Sequence, residues 1–173
     1  IKASYNWGGK LFHALFTYLG LFNREISNQE KAGDYDQWLD RALPNVFAEL
    51  LLEQIQNYPV IYTHRQRIAQ LYWQKFPQKI AKNNLPSLRY PLQIDQADLF
   101  LSKMAKQGYI LGNWYRQVVA PPELDLDKVK YPAASCPMAE HMSQNVVNLP
   151  LNLNSKEAKK LLKTFIDVKK NLN

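Results

Sequence analysis

The sequence predicts an α+β protein in which N-terminal helices are followed by a small mixed β-sheet packed against helices. In the first half, apolar residues recur at spacings of three and four, which indicates helices with one buried face. In the second half, short segments of alternating apolar and polar residues are separated by helical segments. Helices first, then strands interspersed with helices, are typical of an α+β architecture.

Composition is that of a folded protein from a reducing compartment. The 173 residues are 46% hydrophobic and 21% charged, which suffices for one ordinary domain with a core. The single cysteine, Cys136, excludes an internal disulfide framework, and no apolar run is long enough to span a bilayer. We therefore expect a cytoplasmic protein without membrane contact. The net charge of +7 comes from thinly spread lysines, so we expect no nucleic-acid partner.

The first half contains predicted helices, with prolines at positions where a helix begins or is interrupted. Residues 11–22 form one apolar face, with Leu11, Leu15, Tyr18, Leu19 and Phe22. A polar connection follows over residues 23–33. Pro44 suits the first turn of the next helix, whose predicted apolar stripe consists of Val46, Phe47, Leu50, Leu51, Gln54 and Ile55. Pro59 should end or kink that helix, and the pattern resumes over residues 61–76, so two helices or one kinked helix are both compatible.

The second half begins with a predicted strand–helix–strand unit. Alternation over residues 88–94 predicts a strand, in which Pro91 favours an edge position or a bulge. Asp95 is predicted to cap the following helix and Gly108 to end it. Residues 109–115 then predict a second strand.

A helix, a strand and a terminal helix complete the predicted fold. A short helix is expected around residues 139–144 and a third strand over residues 146–151. Asn154 should cap the last helix, with Glu157 completing a capping box. The predicted buried stripe of that helix is Ala158, Leu161, Leu162, Phe165 and Ile166.

The chemistry-bearing side chains do not form a recognisable catalytic or metal-binding pattern. His13, His64 and His141 lie far apart and lack metal-ligand spacing. His64 falls on an otherwise apolar helix face, which indicates a packed, hydrogen-bonded histidine. Cys136 has no neighbouring Cys/His pattern that would mark a nucleophile.

Four segments in a fixed order carry a family resemblance. Residues 43–55 (LPNVFAELLLEQI) and residues 64–72 (HRQRIAQLY) are followed by Tyr115, at the end of a predicted strand, and by residues 135–151 (SCPMAEHMSQNVVNLPL). Together they resemble the C-terminal portion of the DegT/DnrJ/EryC1/StrS sugar aminotransferase family. The resemblance covers residues 43–170, and the last segment is similar to the closing motif of that family.

The resemblance implies a fold-type I pyridoxal-phosphate enzyme, a homodimer that aminates keto sugars attached to nucleotides. It implies that residues 43–173 are a small domain like the C-terminal domain of such transferases. Residues 1–42 would then be a helical remnant of the preceding domain. The family's pattern makes Asn45 a cofactor-binding residue. It makes substrate-binding residues of the segment Trp114, Tyr115 and Arg116, with Arg116 paired to a phosphate of the nucleotide.

The catalytic groups of that family cannot be placed in this sequence. Its large N-terminal domain supplies the Schiff-base lysine, the aspartate facing the pyridine nitrogen and the aromatic residue that stacks on the cofactor. We therefore expect this chain alone to hold no pyridoxal phosphate tightly and to be inactive, as the C-terminal portion of a longer enzyme. Two alternatives stay open: a non-catalytic interaction module, and a basic nucleic-acid-binding domain suggested by charge alone.

Overall fold

A computed structural model of the chain describes residues 8–20, 26–40, 42–77, 88–121 and 124–172. The chain divides into two compact units. The first unit comprises Ile1–Arg41 and Pro121–Pro132, and the second comprises Ala42–Ala120 and Ala133–Asn173. Within the described ranges, no helix is both long enough and apolar enough to cross a membrane.

The first unit contains short helical elements. Helix α1 spans Lys10–Tyr18, helix α2 spans Asn28–Lys31, and a 3-10 helix spans Gln37–Asp40. The predicted polar connection over residues 23–33 therefore includes one helical turn. That turn forms because Ser27 accepts a hydrogen bond from the N–H of Glu30 at 3.1 Å and donates its own N–H to the Glu30 carboxylate at 2.7 Å.

Helix α1 confirms the predicted helix, but its predicted burial is wrong. Leu11 is 77% exposed and Tyr18 is 89% exposed, and Leu15 and Leu19 are exposed as well. Phe22, the last residue of the predicted stripe, lies outside the described residues. An apolar stripe indicates a face that packs against something, and the described side chains of this stripe are at least half exposed.

The described residues of the second unit form four helices and two strands. They are α3 (Asn45–Trp73), β1 (Arg89–Gln93), α4 (Ala97–Lys106), α5 (Pro137–Gln144), β2 (Val146–Pro150) and α6 (Ser155–Lys170). The strands pair antiparallel, with Arg89 opposite Pro150 and Gln93 opposite Val146. The α+β class is thus confirmed. The predicted mixed sheet is wrong for the described residues, since their two-stranded sheet is purely antiparallel.

The strand predicted over residues 109–115 does not form, and a single bridge takes its place. The N–H of Asn148 donates to the carbonyl of Gly112 at 2.8 Å, and the N–H of Gly112 donates back at 3.3 Å. Two residues after Gly112, the carbonyl of Trp114 accepts a hydrogen bond from the side-chain amide of Asn148. A side-chain amide therefore replaces the backbone ladder that a third strand would need.

Helix α3 is continuous through its proline. Pro44 is the N-cap of α3 and not a member of its first turn, because the helix begins at Asn45. Pro59 lies inside α3, so of the two open alternatives the structure has one long helix. Pro59 supplies no N–H to the carbonyl four residues earlier, while its own carbonyl accepts a hydrogen bond from the Thr63 hydroxyl at 2.9 Å.

Only the C-terminal part of α3 reaches the core. The apolar residues of its first half, predicted to be buried, are 50–67% exposed; they are Val46, Phe47, Leu50, Leu51 and Ile55. We call this set the α3 stripe. The first fully buried positions of the helix are Ile68, Ala69 and Tyr72. The stripe is therefore an apolar surface without a cover in the described residues.

The core of the second unit lies between the sheet and helices α3, α4 and α6. The ring of Phe165 on α6 lies 4.6 Å from that of Phe100 and 5.2 Å from that of Phe76, centroid to centroid. Tyr72 and Tyr90 meet edge to face at 5.7 Å. These contacts fix one face of the sheet against the helices.

Local signals at the ends of α4 and α6 are mostly confirmed. Asn154 and Glu157 form the predicted capping box of α6. Gly108 has a φ of +83° after α4, as its predicted role at the helix end requires. Asp95 as N-cap is wrong, because Gln96 occupies that position in a left-handed conformation and makes no side-chain cap. In the α6 stripe, Ile166 is only partly buried.

Candidate functional site

The two faces of the β1–β2 pair differ. Tyr90 on β1 and Leu149 on β2 face each other across the pair and are fully buried in the core. Because side chains alternate along a strand, Arg89, Pro91 and Gln93 lie on the opposite face. We call this the open face of the sheet.

A cavity of about 820 Å³ lies on the open face. Its walls come from β1, from the segment after the Gly112 bridge and from α5. The lining residues are Pro77, Pro91, Leu92, Gln93, Tyr115, Gln117, Val118, Ala139, Met142, Ser143 and Val146. The volume lies within the range of small-molecule sites, and a mostly apolar wall with a few amides and a hydroxyl is typical of them.

Of the predicted substrate-binding residues, Tyr115 lines this cavity. Its side chain is 65% exposed, so one face of the ring is available to a ligand. Trp114 precedes it with the two rings stacked at 6.3 Å, but Trp114 is not part of the cavity wall. Asn148 holds this segment to β2 by donating a hydrogen bond to the Trp114 carbonyl at 2.7 Å.

Arg116 points to a different partner. Its guanidinium donates to both carboxylate oxygens of Asp98 at 2.5 Å. The pair borders a smaller polar cavity of about 390 Å³, lined also by Gln96, Ala97, Gln144 and Asn145. The charge of Arg116 is therefore matched by a carboxylate of its own chain.

Asn45 is separate from both cavities. It is the first residue of α3, its side chain is exposed, and it lines neither of the two cavities. The structure thus brings Tyr115 to the large cavity and Arg116 to the small one, and it brings Asn45 to neither.

Arg89 is a candidate that the sequence did not reveal. Its Nε is buried and has no hydrogen-bond partner among the described residues, and its guanidinium carbon lies 4.6 Å from the centre of the Trp114 ring. In the sequence, Arg89 is an ordinary polar position of an alternating strand. Only the folded chain reveals its stacking on an aromatic residue 25 positions later.

The remaining reactive side chains named from the sequence, a histidine and a cysteine, lie outside the two cavities. His64 is partly buried, and its Nε2 lies 2.9 Å from the Leu153 carbonyl, to which it donates, which confirms the predicted packed histidine. In the described part of the chain, no three His, Cys, Asp or Glu side chains gather to form a metal site. Cys136 is exposed and precedes α5.

The large cavity does not fit pyridoxal phosphate. Its lining residues include no lysine that could bind the cofactor aldehyde and no carboxylate that could face the pyridine nitrogen. A cofactor in this cavity would find a phenol, two glutamines and a serine. These groups are not those that hold this cofactor.

The second unit is thus a small α+β fold with a mostly apolar cavity on one face of its sheet. No protein-family model, curated protein or solved structure matches the chain. Its function is therefore inferred from its own contacts and motifs.

Proposed function

We propose that this chain is the small C-terminal domain of a pyridoxal-phosphate-dependent sugar-nucleotide aminotransferase of the DegT/DnrJ/EryC1/StrS kind. One observation carries the proposal. Tyr115, which matches the family's tyrosine, lines the same cavity as four residues of the closing motif, Ala139, Met142, Ser143 and Val146. Two segments that resemble one family from separate parts of the chain thus share a single candidate site.

The cavity chemistry supports a nucleotide sugar as ligand. The half-free ring of Tyr115 offers a stacking surface for a base or a sugar face, and Val118 and Met142 extend the apolar wall. Gln93 and Gln117 can exchange hydrogen bonds with hydroxyl and carbonyl groups. Such a wall orients a polar ring compound through a few contacts on an apolar bed.

The role of this domain in that enzyme is binding and orientation. Because its cavity residues do not fit the cofactor, we assign pyridoxal phosphate and its lysine to the large domain of the complete protein. This chain then holds the nucleotide sugar against that domain, and it is inactive by itself.

The exposed α3 stripe supports the presence of a surface that binds another protein chain. Its five apolar side chains are each at least half exposed, and monomeric proteins rarely expose contiguous apolar patches of this kind. In the proposed enzyme this surface packs within the homodimer. The same observation favours a second candidate, a non-catalytic interaction module that pairs with a catalytic partner.

Calorimetric titration of the chain with UDP-glucose tests the ligand assignment. Tyr115→Ala should weaken binding, since stacking of a base on an aromatic ring contributes about 1–3 kcal/mol. Tyr35→Ala is the matched control, because Tyr35 lies in the other unit and is 66% exposed. Equal binding by the two variants would remove Tyr115 from the site.

The natural gene product decides between the two candidates. An aminotransferase predicts a mass near twice the 20.2 kDa of this chain, bound pyridoxal phosphate, and transfer of an amino group from glutamate to a keto sugar nucleotide. An interaction module predicts a product without the cofactor and without transfer. A cofactor-free product that aminates nothing would refute the enzyme assignment.

A further inference from the structure

The side chain of Arg89 carries one buried N–H group without a hydrogen-bond partner in the described part of the chain. Its side chain is partly buried, and its Nε has no hydrogen-bond partner among the described residues. No described carboxylate forms an ion pair with it, whereas Arg116 has Asp98. A buried N–H donor without a partner is unfavourable, so the unpaired Nε–H marks a place where a hydrogen-bond acceptor such as an oxyanion would be stabilised.

The surroundings of Arg89 hold it in a defined position. The Trp114 ring covers one face of the guanidinium at 4.6 Å, and Asn148 fixes the backbone of Trp114. Gly112 lies beside the arginine, since a Cβ there would be in ordinary van der Waals contact with Cδ and Nη1 of Arg89, at 3.9 Å from each. An arginine stacked in this way keeps its N–H edge for planar, bidentate contacts with an oxyanion.

Arg89 also lies next to the large cavity. It shares the open face with Pro91, a cavity residue two positions along β1, which corresponds to about 7 Å along the strand. A ligand whose ring occupies the cavity could therefore extend a charged group to Arg89. A diphosphate linkage has both the charge and the reach for this.

We propose that Arg89, stacked on Trp114, is an oxyanion site that binds a phosphate group of the ligand in the cavity. The identity of that ligand as a nucleotide sugar rests on the proposed function. The assignment replaces Arg116, whose charge is already matched by Asp98.

Nuclear magnetic resonance of the whole 173-residue chain tests the site directly. The Nε–H of Arg89 is sheltered from water, so its ¹H–¹⁵N signal should be visible and can be assigned by its loss in Arg89→Lys. Inorganic pyrophosphate and UDP-glucose should each shift this signal saturably, and uridine should not. A signal that neither phosphate compound moves would overturn the proposal.

Calorimetry of variants with UDP-glucose provides the second readout. Arg89→Gln should weaken binding about tenfold or more, as expected for losing a charge-assisted hydrogen bond. Arg89→Lys keeps the charge but not the planar fork, so it should bind with an intermediate affinity. Arg67→Gln, which removes an exposed arginine of α3, should bind as the wild type does. Weaker binding by Arg116→Gln together with unchanged binding by Arg89→Gln would overturn the assignment.

Failure of the site and failure of the proposed function give different results. If pyrophosphate shifts the Arg89 signal but UDP-glucose binds no more tightly than pyrophosphate, the oxyanion site stands and the nucleotide-sugar function is wrong. If UDP-glucose binds while the Arg89 signal stays unmoved and Arg89→Gln binds normally, the function stands and this assignment is wrong.

Discussion

The side chain of Asn148 donates a hydrogen bond to the main-chain carbonyl of Trp114 at 2.7 Å, and this bond connects β2 to the segment that carries the aromatic wall of the cavity. Asn148 is only 4% exposed, and its own backbone is bonded to Gly112. One residue of β2 therefore fixes the segment at two points. The positions of Tyr115 beside the cavity and of Trp114 over Arg89 both depend on it.

Asn148→Ala should lower the free energy of unfolding by about 1–3 kcal/mol, because it removes a buried side-chain hydrogen bond and leaves its acceptor without that donor. Asn57→Ala is the matched control. Asn57 lies on α3, its amide donates to the Glu53 carbonyl at 3.0 Å, and it is exposed, so the change should stay within about 0.5 kcal/mol. Urea unfolding followed by circular dichroism measures both. Equal losses would show that the Asn148 bond is not structural.

Elements whose signals are local could be predicted from the sequence. The capping box of Asn154 and Glu157, the positive φ of Gly108 and the strand around Tyr90 depend on residues within a few positions of one another. The strand predicted over residues 109–115 is absent because of a distant residue, Asn148. Its side-chain amide donates to the Trp114 carbonyl, which would otherwise accept a backbone hydrogen bond from a neighbouring strand. Alternation alone carries no information about that competition.

Burial and the site were harder to predict for a physical reason. An apolar stripe on a helix indicates that this face packs against another surface, but it does not say which surface. The α3 stripe therefore looks like a core face in the sequence, although it is exposed in the structure. Tyr115 is at the cavity, yet the pairing of Arg89 with Trp114 follows from the folded chain only. Motif resemblance likewise could not show that Arg116 is matched by Asp98.

Phe165→Ala should be among the most destabilising single substitutions in the chain. Phe165 is fully buried and contacts Phe100 and Phe76, so its removal leaves a cavity and should lower the free energy of unfolding by about 3–5 kcal/mol. Phe47→Ala makes the same change on the α3 stripe, where the side chain is 58% exposed. In dilute protein it should change stability by less than about 0.5 kcal/mol. A comparable loss in thermal or urea unfolding would mean that the stripe is buried within the chain.

Stability should fall in alkaline solution because of two buried phenols. Burial raises the pKa of both Tyr72 and Tyr90, and their hydroxyls donate to the carbonyls of Pro150 and Phe76. In the unfolded chain a tyrosine loses its proton near pH 10, while in the folded chain these two still keep theirs.

The unfolded state therefore binds fewer protons above pH 10, and the free energy of unfolding decreases there. The decrease is at most about 1.4 kcal/mol per pH unit for each tyrosine that keeps its proton in the folded chain. Below that pH both states hold the protons, and these groups contribute no pH dependence. Urea unfolding at a series of pH values should show the fall in the wild type and a shallower one in Tyr72→Phe/Tyr90→Phe. The steep fall should persist in Tyr18→Phe, which alters an exposed side chain. An unchanged slope in the double variant would contradict the assignment.

The α3 stripe should drive self-association of the chain. A glutamate in an apolar interface must lose its hydration without gaining a partner, so Leu50→Glu should weaken association at least about tenfold. Gln56→Glu adds the same charge at an exposed position on the opposite side of α3 and should associate as the wild type does. Sedimentation velocity over a range of concentrations measures the association of all three proteins. A wild type that stays monomeric throughout, or equal association of the two variants, would show that copies of this chain do not cover the stripe.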